Sequence, residues 1–169
     1  MRDALRDEMI KKICIRDADN ILDVGCGDGT FLHELTRWKD VEGYGIDESE
    51  DKILEARSNW PDLHFETSYS DFLSFDDNSF RVITVCDDFH TFKDPQKFVN
   101  EAFRVLVPGG RLYIGEYFIE CFIIKSQKSD WNRKVSHLEC SILCENPVWR
   151  KEEKYSFGGA TNPVYNADG

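Results

Sequence analysis

The chain has 169 residues, 41% hydrophobic and 13% aromatic, enough for one domain with a substantial core. Its 32 acidic residues outnumber 21 basic ones; the formal charge of −11 argues against nucleic acid or an anionic membrane surface as partner, since phosphate attraction needs clustered Lys and Arg. No apolar run approaches a membrane span and Met1-Arg2-Asp3-Ala4 does not open a signal peptide, so a cytoplasmic location is expected.

Residues 1–18 read as an amphipathic helix, with Leu5, Met9 and Ile13 at four-residue spacing and Ile10 and Cys14 beside them. Asn20 to Val24 is an apolar run without alternation, the mark of a strand buried on both faces. Then comes Gly25-Cys26-Gly27-Asp28-Gly29, and an apolar helical pattern from Thr30 to Trp38. Strand, glycine turn and helix N-terminus bring bare backbone and free N–H groups close to a ligand, and favour one carrying negative charge.

Gly43 to Asp47 is a second strand ending in an acid. Ser49 caps the following helix, which stops before Pro61. Leu63 to Thr67 is a third strand, Tyr69 to Leu73 a loop, and Arg81 to Cys86 a fourth strand. Asp94-Pro95 opens a helix that buries Phe98, Val99, Ala102, Phe103 and Leu106 and ends before Pro108-Gly109-Gly110. Arg111 to Tyr117 is a fifth strand.

Strands alternating with helices imply an α/β fold, a mostly parallel sheet with helices on both faces and right-handed crossovers. Ligands in such sheets bind at the carboxyl ends of the strands. Gly25, Asp47, Asp71 and Cys86 all fall at or just beyond such ends. A dinucleotide turn wants G-x-G-x-x-G, and here Thr30 stands where the last glycine should be, which disfavours a nicotinamide oxidoreductase. No Gly-Lys-Ser/Thr follows, so the turn is not a P-loop.

The turn with its preceding Asp23 looks like motif I of the class I S-adenosylmethionine (SAM)-dependent methyltransferases. Asp71 to Phe80 and Phe103-Arg104-Val105-Leu106-Val107-Pro108-Gly109-Gly110 are similar to the ubiquinone-biosynthesis-like, small-molecule branch (methyltransferase type 11). The resemblance runs from Asn20 to about Tyr117. It implies a Rossmann-like SAM-binding core over 19–118, transfer of a methyl group from SAM to a small molecule, and S-adenosylhomocysteine as product.

It also implies roles. Asp47, with Glu48 beside it, would meet the ribose hydroxyls. Gly25, Cys26, Gly27 and Gly29 would line the methionine part, with Asp23 acting indirectly. Asp71 would accept from the adenine amine with Phe72 packed by the ring, and Cys86 and Asp87 would edge the methionine end. Asp88 and His90 are the candidate bases for an acceptor that starts protonated.

No Asn/Asp-Pro-Pro-Tyr/Phe tetrapeptide follows the fourth strand, which argues against amino-methylation of DNA or glutamine. Cys140-x-x-x-Cys144 with His137 lacks a fourth ligand, so no metal centre is expected, and the thiols are expected to be reduced. Residues 119–169 read as an atypical extension, with a strand continuation from Phe118 to Ile124 and an ambiguous segment from Ser136 to Cys144. An uncovered sheet edge there favours a homodimer. The alternative reading is a SAM-binding protein without turnover, or a subunit that depends on a partner.

Overall fold

The computed structural model describes residues 2–37, 39–116, 122–125 and 140–142. Seven strands form one sheet: β1 (Asn20–Val24), β2 (Glu42–Asp47), β3 (His64–Thr67), β4 (Phe80–Cys86), β5 (Leu106–Gly115), β6 (Phe122–Lys125) and β7 (Cys140–Ile142). Their spatial order is β3-β2-β1-β4-β5-β6-β7. The first five run parallel, while β6 pairs antiparallel with β5 and β7 antiparallel with β6. The chain winds outward from β1 to β3, then returns to lay β4 on the other side of β1. The loops leaving β1 and β4 therefore diverge, and this opens a crevice at their carboxyl ends.

The pleat sends alternate side chains to opposite faces. Leu22, Val24, Ile83 and Val85 pack in one core with Phe98, Val99 and Ala102 of α4 (Pro95–Val105). Ile21 and Val82 face the other core, with Phe31 and Leu32 of α2 (Thr30–Thr36), Ile53 and Ala56 of α3 (Glu50–Asn59), and Met9 of α1 (Arg2–Lys12). This is the expected α/β layering.

Both predicted caps form. Ser49 Oγ accepts from Lys52 N at 3.4 Å, and Asp94 Oδ1 accepts from Lys97 N at 2.9 Å with Pro95 in the first helical turn.

Several boundaries differ from expectation. α1 ends at Lys12 rather than near residue 18; Ile13 is buried beyond the helix, and the chain turns through Ala18 at φ 65°. α2 ends at Thr36, whose hydroxyl bonds back to Leu32 O at 2.8 Å; Trp38 lies outside the described residues. β5 begins at Leu106, directly after α4, rather than at Arg111. Leu106 pairs with Phe80 before Pro108-Gly109-Gly110 bulges out, and pairing resumes at Val82↔Arg111. Proline and two glycines read as a break in sequence, yet a strand absorbs them because Gly109 takes φ 76°.

Met9 anchors α1 against β5. A Cβ on Gly115 would collide with the Met9 side chain, so the bare backbone of β5 is what admits it. In the C-terminal stretch, the expected continuation from Phe118 to Ile124 contains most of β6, which is a separate strand antiparallel to β5, and the ambiguous segment from Ser136 to Cys144 contains β7; the rest of 117–169, with His137 and Cys144, lies outside the described residues. Among the described residues no helix is long and apolar enough to cross a membrane.

Candidate functional site at the strand rim

The glycine turn is built by β1 and β2 together. Gly25 N and Cys26 N both donate to Ile46 O, at 2.8 and 3.0 Å. Gly25, Gly27 and Gly29 adopt φ of 76°, 55° and 77°, the left-handed region that other residues enter at a cost. Gly29 is also a packing site, because a Cβ there would lie 2.6 Å from Phe65 Cζ and 2.9 Å from Trp60 Cδ1. Trp60 donates from Nε1 to Asp28 O at 3.1 Å and stacks on His33, which holds the turn from outside. Cys26 is buried, and burial, followed by the Asp23 and Asp47 charges, pushes its thiol upward; it contributes backbone rather than a thiolate.

Asp47 fastens the turn. Its Oδ2 accepts from Gly27 N at 2.9 Å and its Oδ1 from Ser49 N at 2.9 Å. Each carboxylate oxygen keeps a further lone pair for a hydroxyl donor. The Cβ position of Gly27 has nothing within 4 Å, so the space above the turn is open.

Asp23 stands beneath this rim, 1% exposed. Thr84, its register partner on β4, donates to Oδ1 at 2.6 Å, while Oδ2 is buried with no hydrogen-bond partner among the described residues. Burial pushes its carboxyl up to about 7, against the lowering effect of Thr84; the Asp88 and Asp47 charges raise it further and Arg6 of α1 opposes them.

The loop after β3 joins the rim through Ser68 N, which donates to Asp47 O at 3.1 Å. Tyr69 and Phe72 pair across a short turn with Asp71 at its tip. Both aromatic rings are exposed, and Asp71 accepts from Lys97 Nζ at 3.2 Å. Glu48 points instead to Lys93, at 3.4 Å, whose ammonium also stands 5.2 Å from the centre of the Tyr69 ring.

At the end of β4, Asp87 takes φ 60° and donates its N–H to Gly115 O at 2.7 Å. Cys86 is partly buried and packs against the α1–α3 core. Asp88 lies against Gly25, and burial followed by the Asp47 charge pushes its carboxyl up to about 6.

His90 sits in a short 3-10 helix, Phe89–Thr91. Its Nδ1 lies 2.8 Å from Glu116 Oε2, and its backbone N donates to Oε1 at 3.2 Å. Glu116 is 7% exposed and immediately follows β5. An ionised Glu116 accepts from Nδ1–H and leaves Nε2 with its lone pair free for proton abstraction. Asp87 comes within 4.8 Å of this pair, and both Glu116 oxygens face His90.

The structure thus gathers Asp23, the glycine turn, Asp47, Asp87, Asp88 and His90 at neighbouring strand ends, with Asp71 and Phe72 on the adjoining loop. Glu48 is turned toward the surface. Sequence reasoning missed Glu116, Thr84 and Arg6. The signal for Glu116 was an acid at the end of a strand, the same signal that pointed to Asp47.

A family model described as a methyltransferase domain matches residues 15–158. The chain belongs to that family. It is 31% identical over 121 residues to the 27-O-demethylrifamycin SV methyltransferase of Amycolatopsis mediterranei, covering 68% of this chain and 44% of that protein. It is 32% identical over 99 residues to the demethylmenaquinone methyltransferase of Chlorobaculum tepidum, covering 59% of this chain and 41% of the relative. The chain therefore spans less than half the length of these relatives. Among solved structures, the YcgJ protein of Bacillus subtilis superposes with a TM-score of 0.63 at 29% identity, over 66% of this chain and 50% of that one. A SAM-dependent methyltransferase from Aquifex aeolicus gives 0.60 at 25% identity, over 64% and 62%.

Proposed function

We propose that this chain binds SAM across the glycine turn and transfers its methyl group to a small-molecule acceptor that starts protonated. The observation that carries the reading is the His90–Glu116 dyad, set on the same strand rim as the Asp47-fastened turn.

The residues present fit the cofactor. The open face of Gly27 gives room for a chain to cross the backbone, and the spare lone pairs of Asp47 suit a ribose diol with charge-assisted bonds. The orphaned Asp23 Oδ2 suits a cationic group above it, the α-ammonium, reached directly or through water. Asp71 and the exposed Phe72 suit the adenine amine and ring, and the backbone at Cys86 and Asp87 borders the methionine end. When bound, SAM supplies an electrophilic methyl group on a sulfonium.

The chain's own work is orientation and proton removal. Glu116 holds His90 with Nε2 as the basic atom, and His90 takes the acceptor's proton as the acceptor closes on the methyl group. Holding the two reactants about 3–3.5 Å apart in line accounts for most of the acceleration asked of the protein. Acceptors of this kind are named for the relatives: a rifamycin oxygen and a demethylmenaquinone. The terminal position of β7 among the described strands supports pairing with a second copy.

The test is calorimetric titration with SAM and S-adenosylhomocysteine on the wild type and on Asp47→Ala, followed by acceptor screening with phenols and quinols. Binding that Asp47→Ala abolishes, with turnover that His90→Ala abolishes, supports the reading. Wild-type protein that binds neither compound overturns it.

A further inference from the structure

Asp88 occupies a position that general base catalysis does not require. Its carboxyl is seated directly on Gly25: a Cβ at Gly25 would collide with Asp88 Oδ2, Cγ and Cβ, so the absent side chain is what admits the acid to the turn. The charges around it come from four elements. Asp47 at the end of β2 and Glu116 after β5 bring negative charge, His90 brings positive charge when protonated, and Thr91 supplies a hydrogen bond. Asp23 on β1 and Asp88 act on each other, and Arg6 of α1 acts on Asp23 and Asp28. Asp23 adds a buried oxygen without a partner to the same floor. The turn therefore presents several carboxylates to whatever crosses it.

SAM and S-adenosylhomocysteine share adenine, ribose and amino-acid ends. They differ by a methyl group and by one positive charge on sulfur. Asp47 and Asp71 serve the shared ends and cannot tell the two apart. Asp88, resting on Gly25, stands on the same turn that Asp47 fastens at Gly27, so a ligand laid along the turn from Asp47 would meet its carboxyl.

We propose that Asp88, seated on Gly25, makes this site selective for the charge on sulfur, holding the sulfonium cofactor in preference to the neutral thioether product and so easing product departure. The inference rests on the SAM-binding reading above. Ionised Asp88 attracts the sulfonium and leaves the thioether nearly indifferent, a difference worth about tenfold in relative affinity at a half-buried site.

The experiment is calorimetry with SAM, S-adenosylhomocysteine and sinefungin, in which a protonated amine replaces the sulfonium, on the wild type, Asp88→Asn and Asp88→Glu. In Asp88→Asn, SAM and sinefungin should weaken by about tenfold while S-adenosylhomocysteine changes by less than about twofold. Asp88→Glu should retain most of the preference. In the wild type, the preference for SAM should shrink between about pH 7.5 and about pH 5, as Asp88 protonates. Equal weakening of all three ligands in Asp88→Asn overturns the proposal. So does a wild-type preference that is flat with pH, a readout that holds even where the Asn variant fails to fold. Wild-type protein that binds none of the three overturns the SAM reading itself; binding with an unaltered ratio overturns this inference alone.

Discussion

Thr84 on β4 donates a 2.6 Å hydrogen bond to Asp23 on β1, its partner in the sheet register, and leaves the other oxygen of that buried carboxyl unsatisfied. The fold accepts an expensive group at the centre of its sheet, as functional sites commonly do. Asp23 titrates at about 7 in the folded chain against 3.8 for an ordinary aspartate. A carboxyl raised in this way contributes its stability in full at low pH and loses it as pH climbs from about 4 to about 7. The loss is on the order of 4 kcal/mol for a fully buried group. Asp23→Asn, which mimics the protonated acid and does not titrate, should therefore melt higher than the wild type at about pH 8, with the gap closing toward about pH 5. Thermal melts without cofactor across that range are the check. A wild type more stable than Asp23→Asn at the alkaline end would refute the assignment.

Glu116→Gln addresses the dyad. The glutamine amide can donate to Nδ1, which forces the ring proton onto Nε2 and removes the basic atom. Turnover should fall by about a hundredfold or more, with SAM affinity and melting temperature little changed. Nitrogen-detected NMR of the His90 ring reports the tautomer without any acceptor. An unchanged tautomer would show that Glu116 does not set it.

Two glycines of one turn should respond differently. Gly29→Ala drives a Cβ into Phe65 and Trp60, and should cost about 2 kcal/mol or more. Gly27→Ala meets no neighbour, so only its left-handed backbone charges a penalty, about 1 kcal/mol. Its methyl group fills the space above the turn, however, so the folded variant should lose SAM binding. Denaturant melts paired with calorimetry separate the two effects.

Asp71 and Lys97 form an exposed ion pair at 3.2 Å, and such pairs contribute about 0–1 kcal/mol. Lys97→Ala should leave stability nearly unaltered. Asp71→Ala should weaken SAM and S-adenosylhomocysteine by the same factor, because adenine is common to both. A loss confined to one ligand would remove Asp71 from the adenine end.

How far the chain could be read before its fold was known depends on the range of the interactions. β1 was legible to the residue because Ile21, Leu22 and Val24 form a run closed by Gly25. α3 and α4 were legible because Ser49 and Asp94-Pro95 are caps that act within three residues. The start of β5 was not, because the Leu106–Phe80 pairing that draws Pro108-Gly109-Gly110 into a strand is a property of the neighbouring strand. Glu116 stayed hidden for the same reason: it meets His90 only because β4 and β5 pair side by side and end together. Thr84 is an unremarked residue in an apolar run until the register sets it opposite Asp23. The glycine turn and the acids beside it are written locally, and the His90–Glu116 pair is written across strands.

Met9 rests on Gly115, more than a hundred positions further along the chain. During synthesis α1 emerges long before the strand that seats it, with Met9 and Ile13 still lacking part of their final cover. A contact of such long range closes late, after the shorter β1–β2 and β2–β3 crossovers have formed. Until then the nascent chain carries an apolar helix face that a chaperone can hold and that a neighbouring nascent chain can capture. Burial of that face waits on β5, so the chain stays sticky until Gly115 has been made and paired.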